Sequence, residues 1–270
     1  MSGKIVFLDI DGTLTTPDDK VPPSALEACY KAMENGHKLY VCTGRSKSEI
    51  YKSILDIGFN GVISAAGGCI ETEGKMIYHK TMSLETTSRI VDYFTSKGFG
   101  FLLESNESIF LNPKIFPMIE NSLGKESSHP LIVLLRKYNV PANLYRSDIN
   151  KVIFFGTDDI SFKDICKEFE AECNIIHGTL PIFGFDGGEI NDKWTNKGDA
   201  IKRLAEYLGK DIKDTIAFGD GSNDKEMFEI CANAVAMGNA IEELKKIADF
   251  VTDRVENDGL SKAFKKYGLI

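Results

Sequence analysis

The feature that most constrains this chain is an apolar run that ends in two carboxylates. The run is Ile5-Val6-Phe7-Leu8, and Asp9-Ile10-Asp11-Gly12 follows it directly. Consecutive apolar residues of this kind predict a buried strand, and side chains two apart on a strand point to the same face. Asp9 and Asp11 can therefore converge on one centre, where their repulsion requires a cation or a proton. The alternative is ordinary turn chemistry, which Gly12 also suits.

Composition limits the classes of function. The chain has 270 residues, of which 43% are apolar, enough for one large domain or two smaller ones. Lys and Arg number 32 against 40 Asp and Glu, so the net charge is -8. We therefore expect no nucleic-acid partner, whereas the acidity suits a site that recruits a divalent cation.

The sequence predicts a cytoplasmic protein with no membrane partner. No apolar stretch reaches the ~18 residues of a membrane span, and the first strand is predicted almost at Met1, which leaves no room for a signal peptide. The cysteines form no C-x-x-C pair and lie mostly in apolar segments, so we interpret them as buried free thiols. They are Cys29, Cys42, Cys69, Cys166, Cys173 and Cys231.

Strand and helix signals alternate in the first part of the chain, which is typical of a parallel sheet. Ser24-Ala25-Leu26-Glu27 has the form of a capping box for the first helix. Strands are predicted at 37–43 and 61–66, with a helix between them that ends at Gly58. Glu73-Gly74 predicts a hairpin between Cys69 and Lys80.

The pattern changes between residues 83 and 186. Helices are predicted at 83–97 and 161–173, and a segment around Pro113 and Pro117 is marked by proline. Strand-like runs are predicted at 99–104, 108–111, 131–136, 152–157, 174–177 and 182–185. Strict alternation returns after Gly187-Gly188, with helices at 196–208, 224–231 and 241–248 and strands at 215–219, 234–237 and 250–252. We expect one discontinuous core domain, residues 1–82 and 187–270, around an inserted domain, residues 83–186.

A second acidic cluster follows the predicted strand 215–219. It contains Asp220, Asn223 and Asp224. Open α/β sheets bind ligands at the carboxyl ends of their strands, so Asp9, Asp11 and Asp220 can share one cation through oxygen ligands, as Mg²⁺ prefers. Asn223 and Asp224 also fit a helix cap and a first-turn charge, and both roles can coexist.

Lys197 lies at the start of a predicted helix, in Asn196-Lys197-Gly198. A lysine there opposes the helix dipole, whereas an ammonium group beside a phosphate and carboxylates would reduce their repulsion. The alternative is a solvated surface lysine. The other motifs favour the functional interpretation.

These motifs together resemble the haloacid dehalogenase superfamily, and specifically its Cof-type phosphatases. The resemblance covers nearly the whole chain and implies an α/β fold, a Rossmann-like parallel-sheet core with an inserted α/β cap domain. One departure is Ala65-Ala66-Gly67-Gly68, where such proteins often have Asn-Gly. The four matching motifs, in order, are Asp9-Ile10-Asp11-Gly12-Thr13-Leu14, Thr43-Gly44-Arg45, Asn196-Lys197-Gly198 and Gly219-Asp220-Gly221-Ser222-Asn223-Asp224.

The resemblance implies a catalytic role for the two aspartates of the first motif. Asp9 would attack phosphorus and form an aspartyl-phosphate, and Asp11 would act as general acid and then as general base. Mg²⁺ would bind one oxygen of Asp9, the backbone carbonyl of Asp11 and the carboxylate of Asp220. Asp224 would orient these ligands.

The resemblance also implies contacts to the phosphoryl group. Thr43 would hydrogen-bond a phosphoryl oxygen and Lys197 would stabilise the charge of the transition state. Gly44, Arg45 and Asn223 are candidate phosphate-binding or substrate-binding residues. For Arg45, an electrostatic role in the fold is an equal alternative.

The predicted function is a Mg²⁺-dependent phosphatase that acts on a small phosphorylated metabolite, such as a sugar phosphate or a phosphorylated cofactor. One alternative is a sugar phosphomutase, and another is a regulatory module that is switched by phosphorylation of Asp9. Phe183, Phe185 and Asp186 could line the site, although such residues more often pack in a core. The sequence leaves the oligomeric state open.

Overall fold

The structure is a computed structural model that describes residues 3–124, 130–157, 159–178, 184 and 186–270. The described residues form thirteen β-strands. They are β1 (Ile5–Leu8), β2 (Lys38–Cys42), β3 (Gly61–Ser64), β4 (Cys69–Thr72), β5 (Lys75–His79), β6 (Phe101–Glu104), β7 (Ile109–Leu111), β8 (Lys151–Phe154), β9 (Cys173–His177), β10 (Gly188–Asp192), β11 (Thr215–Gly219), β12 (Asn233–Ala236) and β13 (Phe250–Val251).

The same residues form ten α-helices, and short 3-10 turns join some of the elements. The α-helices are α1 (Pro23–Glu34), α2 (Lys52–Leu55), α3 (Leu84–Lys97), α4 (Ile115–Leu123), α5 (Pro130–Arg136), α6 (Phe162–Phe169), α7 (Lys197–Tyr207), α8 (Lys225–Ile230), α9 (Glu242–Ile247) and α10 (Gly259–Lys266). The predicted α/β fold class is confirmed.

The described residues divide into two compact units. The first unit contains the residues up to Arg45 together with Ile50–His79 and Thr195–Ile270. The second contains Ser46–Glu49 and the described part of Lys80–Trp194. These boundaries differ from the expected insertion at residues 83–186, because β10 pairs with β8 and β9 and so extends the second unit beyond residue 186.

The first unit is built on an eight-stranded sheet in the order β13-β12-β11-β1-β2-β3-β4-β5. Strand β1 lies near the centre and pairs in parallel with β11 and β2. Its residues alternate between two apolar layers, because Val6 and Leu8 pack with α1 and α10, whereas Ile5 and Phe7 pack with α7 and α8. Burial on both faces explains why this strand has no polar residue.

The second unit is built on a five-stranded sheet in the order β7-β6-β8-β10-β9, in which neighbouring strands pair antiparallel. One face packs against α3 and α6 through Phe94, Phe154 and Phe169. The other face carries Leu102 and Ile153 in a separate apolar cluster. This sheet agrees with the predicted α/β composition of the insertion.

Several element predictions are wrong. Residues 131–136 lie in helix α5 rather than a strand. No secondary structure was predicted for the segment around Pro113 and Pro117, and Pro117 lies in helix α4. Helix α1 begins at Pro23 and has no side-chain cap, so the predicted capping box at Ser24 is not formed. Strand β10 and helix α10 were not predicted. Phe183 and Phe185, in the run at 182–185, lie outside the described residues.

Other predictions are confirmed. Strands β4 and β5 form the expected antiparallel hairpin around Glu73-Gly74. All six cysteines are free thiols, and Cys166 alone among them is partly exposed. Among the described residues, no helix combines the length and the apolar character needed to cross a membrane.

Candidate active site

Three strand ends bring the acidic motifs together. Asp9 follows β1, Thr43 follows β2 and Asp220 follows β11, and these three strands are neighbours in the sheet. The Asp9 N–H donates to the Phe218 carbonyl (3.0 Å) and the Thr43 N–H to the Ile63 carbonyl (2.9 Å), so sheet-like bonding continues just past β1 and β2. The site therefore lies at the carboxyl edge of a parallel sheet, as predicted.

Lys197 connects this edge to helix α7. Asn196 caps the helix by accepting a hydrogen bond from the Asp199 N–H (2.8 Å), which fixes the first turn. The Lys197 side chain is fully buried, and its Nζ donates to Asp9 Oδ1 at 2.6 Å and to Asp224 Oδ1 at 2.5 Å. Two carboxylates thus share one buried ammonium group, which offsets the unfavourable dipole at the helix start.

The charges at Lys197 and Asp9 depend on each other. Burial lowers the pKa of Lys197, but Asp224 and Asp9 more than offset this, so its pKa lies above the ordinary value. Burial raises the pKa of Asp9 well above its ordinary value, Lys197 opposes the rise, and Asp224 and Asp11 reinforce it. A further cation would therefore favour the ionised form of Asp9 that a nucleophile requires.

The carboxylate of Asp220 is held by neutral donors. The buried Thr13 hydroxyl donates to its Oδ1 (2.9 Å) and the Asn239 amide to its Oδ2 (3.2 Å). Gly12 has a φ of +79°, and a Cβ there would lie 2.2 Å from Asp220 Oδ2, so this close approach requires glycine. Burial raises the pKa of Asp220 to about 6, although the Thr13 hydrogen bond opposes the rise.

The arrangement fits a divalent cation. Asp9, Asp220 and Asp224 each place an oxygen within 4.8 Å of the others, and Lys197 balances only part of their charge. Hard oxygen ligands with excess negative charge suit Mg²⁺. Both carboxylate oxygens of Asp224 already accept hydrogen bonds. Lys197 donates to its Oδ1, and the N–H groups of Asp220 and Gly221 donate to its Oδ2 (2.9 Å each). These hydrogen bonds fix the position of the Asp224 carboxylate.

Asp11 turns away from this carboxylate group toward Arg45. Strand β1 ends at Leu8, so the strand alternation expected for Asp9 and Asp11 does not extend to them. Arg45 donates to both oxygens of Asp11, from Nε at 3.0 Å and from Nη2 at 2.6 Å, and its Nη2 also donates to Asp19 (2.6 Å). Its guanidinium lies over the Tyr51 ring, 5.0 Å from the centroid.

The remaining predicted residues lie beside these groups. Thr43 is buried, and its hydroxyl accepts a hydrogen bond from the Arg45 N–H (3.1 Å). A Cβ on Gly44 would lie 3.1 Å from Asn223 Nδ2, which places the second and fourth motifs side by side. Asn223 is exposed. The predicted contacts of Thr43, Gly44 and Asn223 with a phosphate stay predictions.

Four residues in this region were not selected from the sequence: Thr13, Asp19, Tyr51 and Asn239. Asn239 is the one that the sequence could have indicated most readily. It follows the predicted strand 234–237 as Asp220 follows 215–219, so the same strand-end argument applies to it. Asp19 has a φ of +59°, which is unusual for a residue other than glycine and which the sequence does not signal.

The fold and the site define an α/β enzyme with a carboxylate centre at the carboxyl ends of a parallel sheet. A model of the haloacid dehalogenase-like hydrolase family matches residues 6–264. The chain belongs to this family, and the resemblance noted from its four motifs is confirmed.

Several proteins with similar chains are named as phosphatases. The 5-amino-6-(5-phospho-D-ribitylamino)uracil phosphatase YwtE of Bacillus subtilis is 28% identical over 96% of this chain and 96% of its own. A solved structure of a hypothetical protein from Geobacillus kaustophilus is 27% identical with a TM-score of 0.84, over the whole of both chains. The sugar phosphatase BT4131, of subclass IIB, is 25% identical with a TM-score of 0.78, over 99% of this chain and 100% of that one. Family and relatives together support a phosphoric monoester hydrolase, as predicted.

Proposed function

We propose that the protein is a Mg²⁺-dependent phosphatase that hydrolyses a small phosphate monoester through an aspartyl-phosphate on Asp9. The contact between Lys197 and Asp9 carries this proposal. Lys197 holds Oδ1 of Asp9, while Oδ2 accepts no hydrogen bond in the described part of the chain. A carboxylate that is fixed through one oxygen and open at the other suits in-line attack on phosphorus.

Asp11 supplies the proton for the leaving group. As the bond between phosphorus and the ester oxygen breaks, the Asp11 carboxyl gives its proton to that oxygen. The resulting carboxylate then takes a proton from the water that attacks the aspartyl-phosphate, which releases phosphate and restores Asp9. Arg45 has to leave Asp11 for the donating step, because both Asp11 oxygens accept hydrogen bonds from the guanidinium.

The charge of the transition state is balanced by groups around Asp9. Lys197 lies 2.6 Å from Asp9 and stabilises negative charge that builds up there. Thr43, Gly44 and Asn223 would contact the phosphoryl oxygens. Mg²⁺ held by Asp9, Asp220 and the Asp11 carbonyl would offset the repulsion between Asp9 and the phosphate.

The proposed substrate is a sugar phosphate or a phosphorylated cofactor. Two relatives support this class by their names, since BT4131 is a sugar phosphatase and the substrate of YwtE carries a phosphorylated ribityl chain. The acidic composition of the chain also favours a small substrate over a nucleic acid.

The test is phosphate release from a panel of small phosphate esters with Mg²⁺, for the wild type and for Asp9→Asn. We expect release by the wild type and a loss of at least about 10³-fold in Asp9→Asn, because the amide cannot form the covalent intermediate. Asp9→Asn should fold normally, since Lys197 keeps its contact with Asp224. Near-normal turnover by Asp9→Asn would overturn the mechanism.

Asp11→Asn tests the covalent step directly. An aryl ester with a good leaving group needs no proton from Asp11, so this variant should still become phosphorylated. Hydrolysis of the intermediate should be slow, because the general base is missing. Intact-protein mass spectrometry should then show one added phosphoryl group in Asp11→Asn and none in the Asp9→Asn/Asp11→Asn double variant.

A further inference from the structure

Asn239 joins three separate loops at the edge of the site. Its Nδ2 donates to the Gly12 carbonyl (2.7 Å) and to Asp220 Oδ2 (3.2 Å), and its Oδ1 accepts from the Val255 N–H (3.1 Å). These partners fix which end of the amide points where, because only Nδ2 can donate to two oxygens. We infer that Asn239 is a positioning residue that sets the Asp220 carboxylate for metal binding. This inference rests on the proposed Mg²⁺ site.

Asn239 is itself held in place by the turn after β12. The Gly238 N–H donates to the Asp253 carbonyl and the Ile241 N–H to the Asp220 carbonyl, both at 3.0 Å. A Cβ on Gly238 would lie 2.6 Å from the backbone nitrogen of Arg254, so the turn packs closely on the segment that contains Arg254. The side chain therefore projects from a fixed backbone, as a positioning residue requires.

The chemistry of the donor matters for the carboxylate. Thr13 and Asn239 each hold one Asp220 oxygen through a neutral group, so the negative charge stays available to a cation. A carboxylate oxygen has about two acceptor sites, which leaves a free site on each Asp220 oxygen beside its hydrogen bond. A lysine or arginine at this place would instead compete with the metal.

Asn239 also acts on the loop of the first motif. Its short bond to the Gly12 carbonyl holds the Gly12–Thr13 peptide, one residue beyond the Asp11 carbonyl. The same amide therefore ties the segment that carries Asp9 and Asp11 to Asp220 on the neighbouring strand end. Loss of this amide removes one link between two of the proposed metal ligands and removes neither ligand, and the Thr13 hydrogen bond to Asp220 remains.

The test is calorimetric titration of the free protein with Mg²⁺ alone, without any substrate. We expect Asn239→Ala to weaken Mg²⁺ binding by about tenfold or more, the range found for groups that orient metal ligands. The Michaelis constant for the ester at saturating Mg²⁺ should change by less than about threefold, since Asn239 contacts no predicted phosphate-binding residue. Asn35→Ala is the matched control, because it removes an amide-to-carbonyl bond of 2.9 Å elsewhere in the same unit.

The outcomes separate this inference from the proposed function. Equal Mg²⁺ affinity in Asn239→Ala, Asn35→Ala and the wild type would overturn the positioning role and leave the phosphatase proposal standing. Absence of Mg²⁺ binding in the wild type would overturn the metal site and the inference together. Asn239→Ser, a smaller change, guards against loss of folding, and thermal melts without Mg²⁺ verify that both variants fold; unchanged affinity in a folded Asn239→Ser would also count against the role.

Discussion

At the scale of single residues, the site contains a fully buried charged group, the ammonium of Lys197. It has no exposed surface and pairs with Asp9 and Asp224, which are themselves buried. Removing one partner from such a group leaves uncompensated charge, which is strongly destabilising. The same charge excess is what a divalent cation would relieve, so stability and metal binding are linked at this residue.

Lys197→Met should therefore lower the free energy of unfolding by about 3 kcal/mol without divalent cations, and Mg²⁺ should restore part of that loss. Urea denaturation with and without Mg²⁺ measures both effects. Lys202→Met is the matched control, because Lys202 is an exposed residue of the same helix, α7. A Mg²⁺ effect on Lys197→Met no larger than on the wild type would show that the cation does not replace the ammonium.

At the scale of elements, the turn after β3 holds two alanines in an unusual conformation. Ala65 and Ala66 have φ values of +51° and +50°, where residues with a Cβ are disfavoured. Their N–H groups donate to the Arg45 and Thr43 carbonyls (2.7 and 3.0 Å), so the turn supports the second motif. Asn and Gly are the residues that tolerate such angles best, and this chain has alanine at both positions.

Ala66→Gly should raise the free energy of unfolding by about 1 kcal/mol, because relief of the left-handed conformation exceeds the entropy that glycine adds to the unfolded chain. Gly74→Ala is the reverse control. Gly74 has a φ of +74°, and no atom lies within 4 Å of an added Cβ. The free energy of unfolding of Gly74→Ala should therefore fall because of backbone strain alone. Chemical denaturation measures both, and a destabilised Ala66→Gly would contradict the argument.

The elements that the sequence predicted best are those with a strong apolar signal. Strands β1 and β11 and their acidic ends follow from uninterrupted apolar runs, and they position most of the site. Strand β10 has the sequence Gly-Glu-Ile-Asn-Asp and forms only because β8 and β9 pair with it on both sides. The sequence of helix α5 is almost entirely apolar. Such a run has no hydrophobic periodicity that distinguishes a helix from a buried strand.

Predicting the site met a comparable limit. Each motif residue was predicted at a strand or helix end, but the contact between Asp11 and Arg45 was not. Arg45 reaches Asp11 through its side chain and also donates to Asp19, and no local pattern specifies either contact. Asp224 lies at the start of α8, and it also accepts hydrogen bonds from Lys197 and two backbone N–H groups; its role toward the metal ligands stays a prediction.

At the scale of the whole molecule, the chain passes between its two units four times. Besides the changes at residues 79–80 and 194–195, the short segment Ser46–Glu49 belongs to the second unit. Within that unit, Glu49 accepts a hydrogen bond from Lys151 (2.8 Å) and Ser48 donates to the Ser105 carbonyl (2.7 Å). The first contact spans 102 residues of sequence, so no pattern of neighbouring residues specifies it.

Lys151 also lies 3.2 Å from Glu104, which is fully buried. Burial raises the pKa of Glu104 well above its ordinary value, Glu49 adds to the rise, and Lys151 opposes it. A carboxyl with a raised folded pKa keeps its proton where the unfolded chain, with a pKa of about 4.3, has released it. The folded state therefore loses stability as the pH rises from that value toward the folded pKa.

Glu104→Gln should remove this pH dependence, because the amide resembles the neutral acid and does not titrate. Between about pH 5 and pH 7, the free energy of unfolding of Glu104→Gln should increase relative to the wild type, by at most about 1.4 kcal/mol per pH unit. Denaturation at several pH values measures the difference. Glu107→Gln, which removes an exposed carboxylate of the same unit, should run parallel to the wild type. A difference between Glu104→Gln and the wild type that stays constant with pH would mean that Lys151 keeps Glu104 ionised in the folded protein, and the buried group would then be an ion pair rather than a neutral acid beside a lysine.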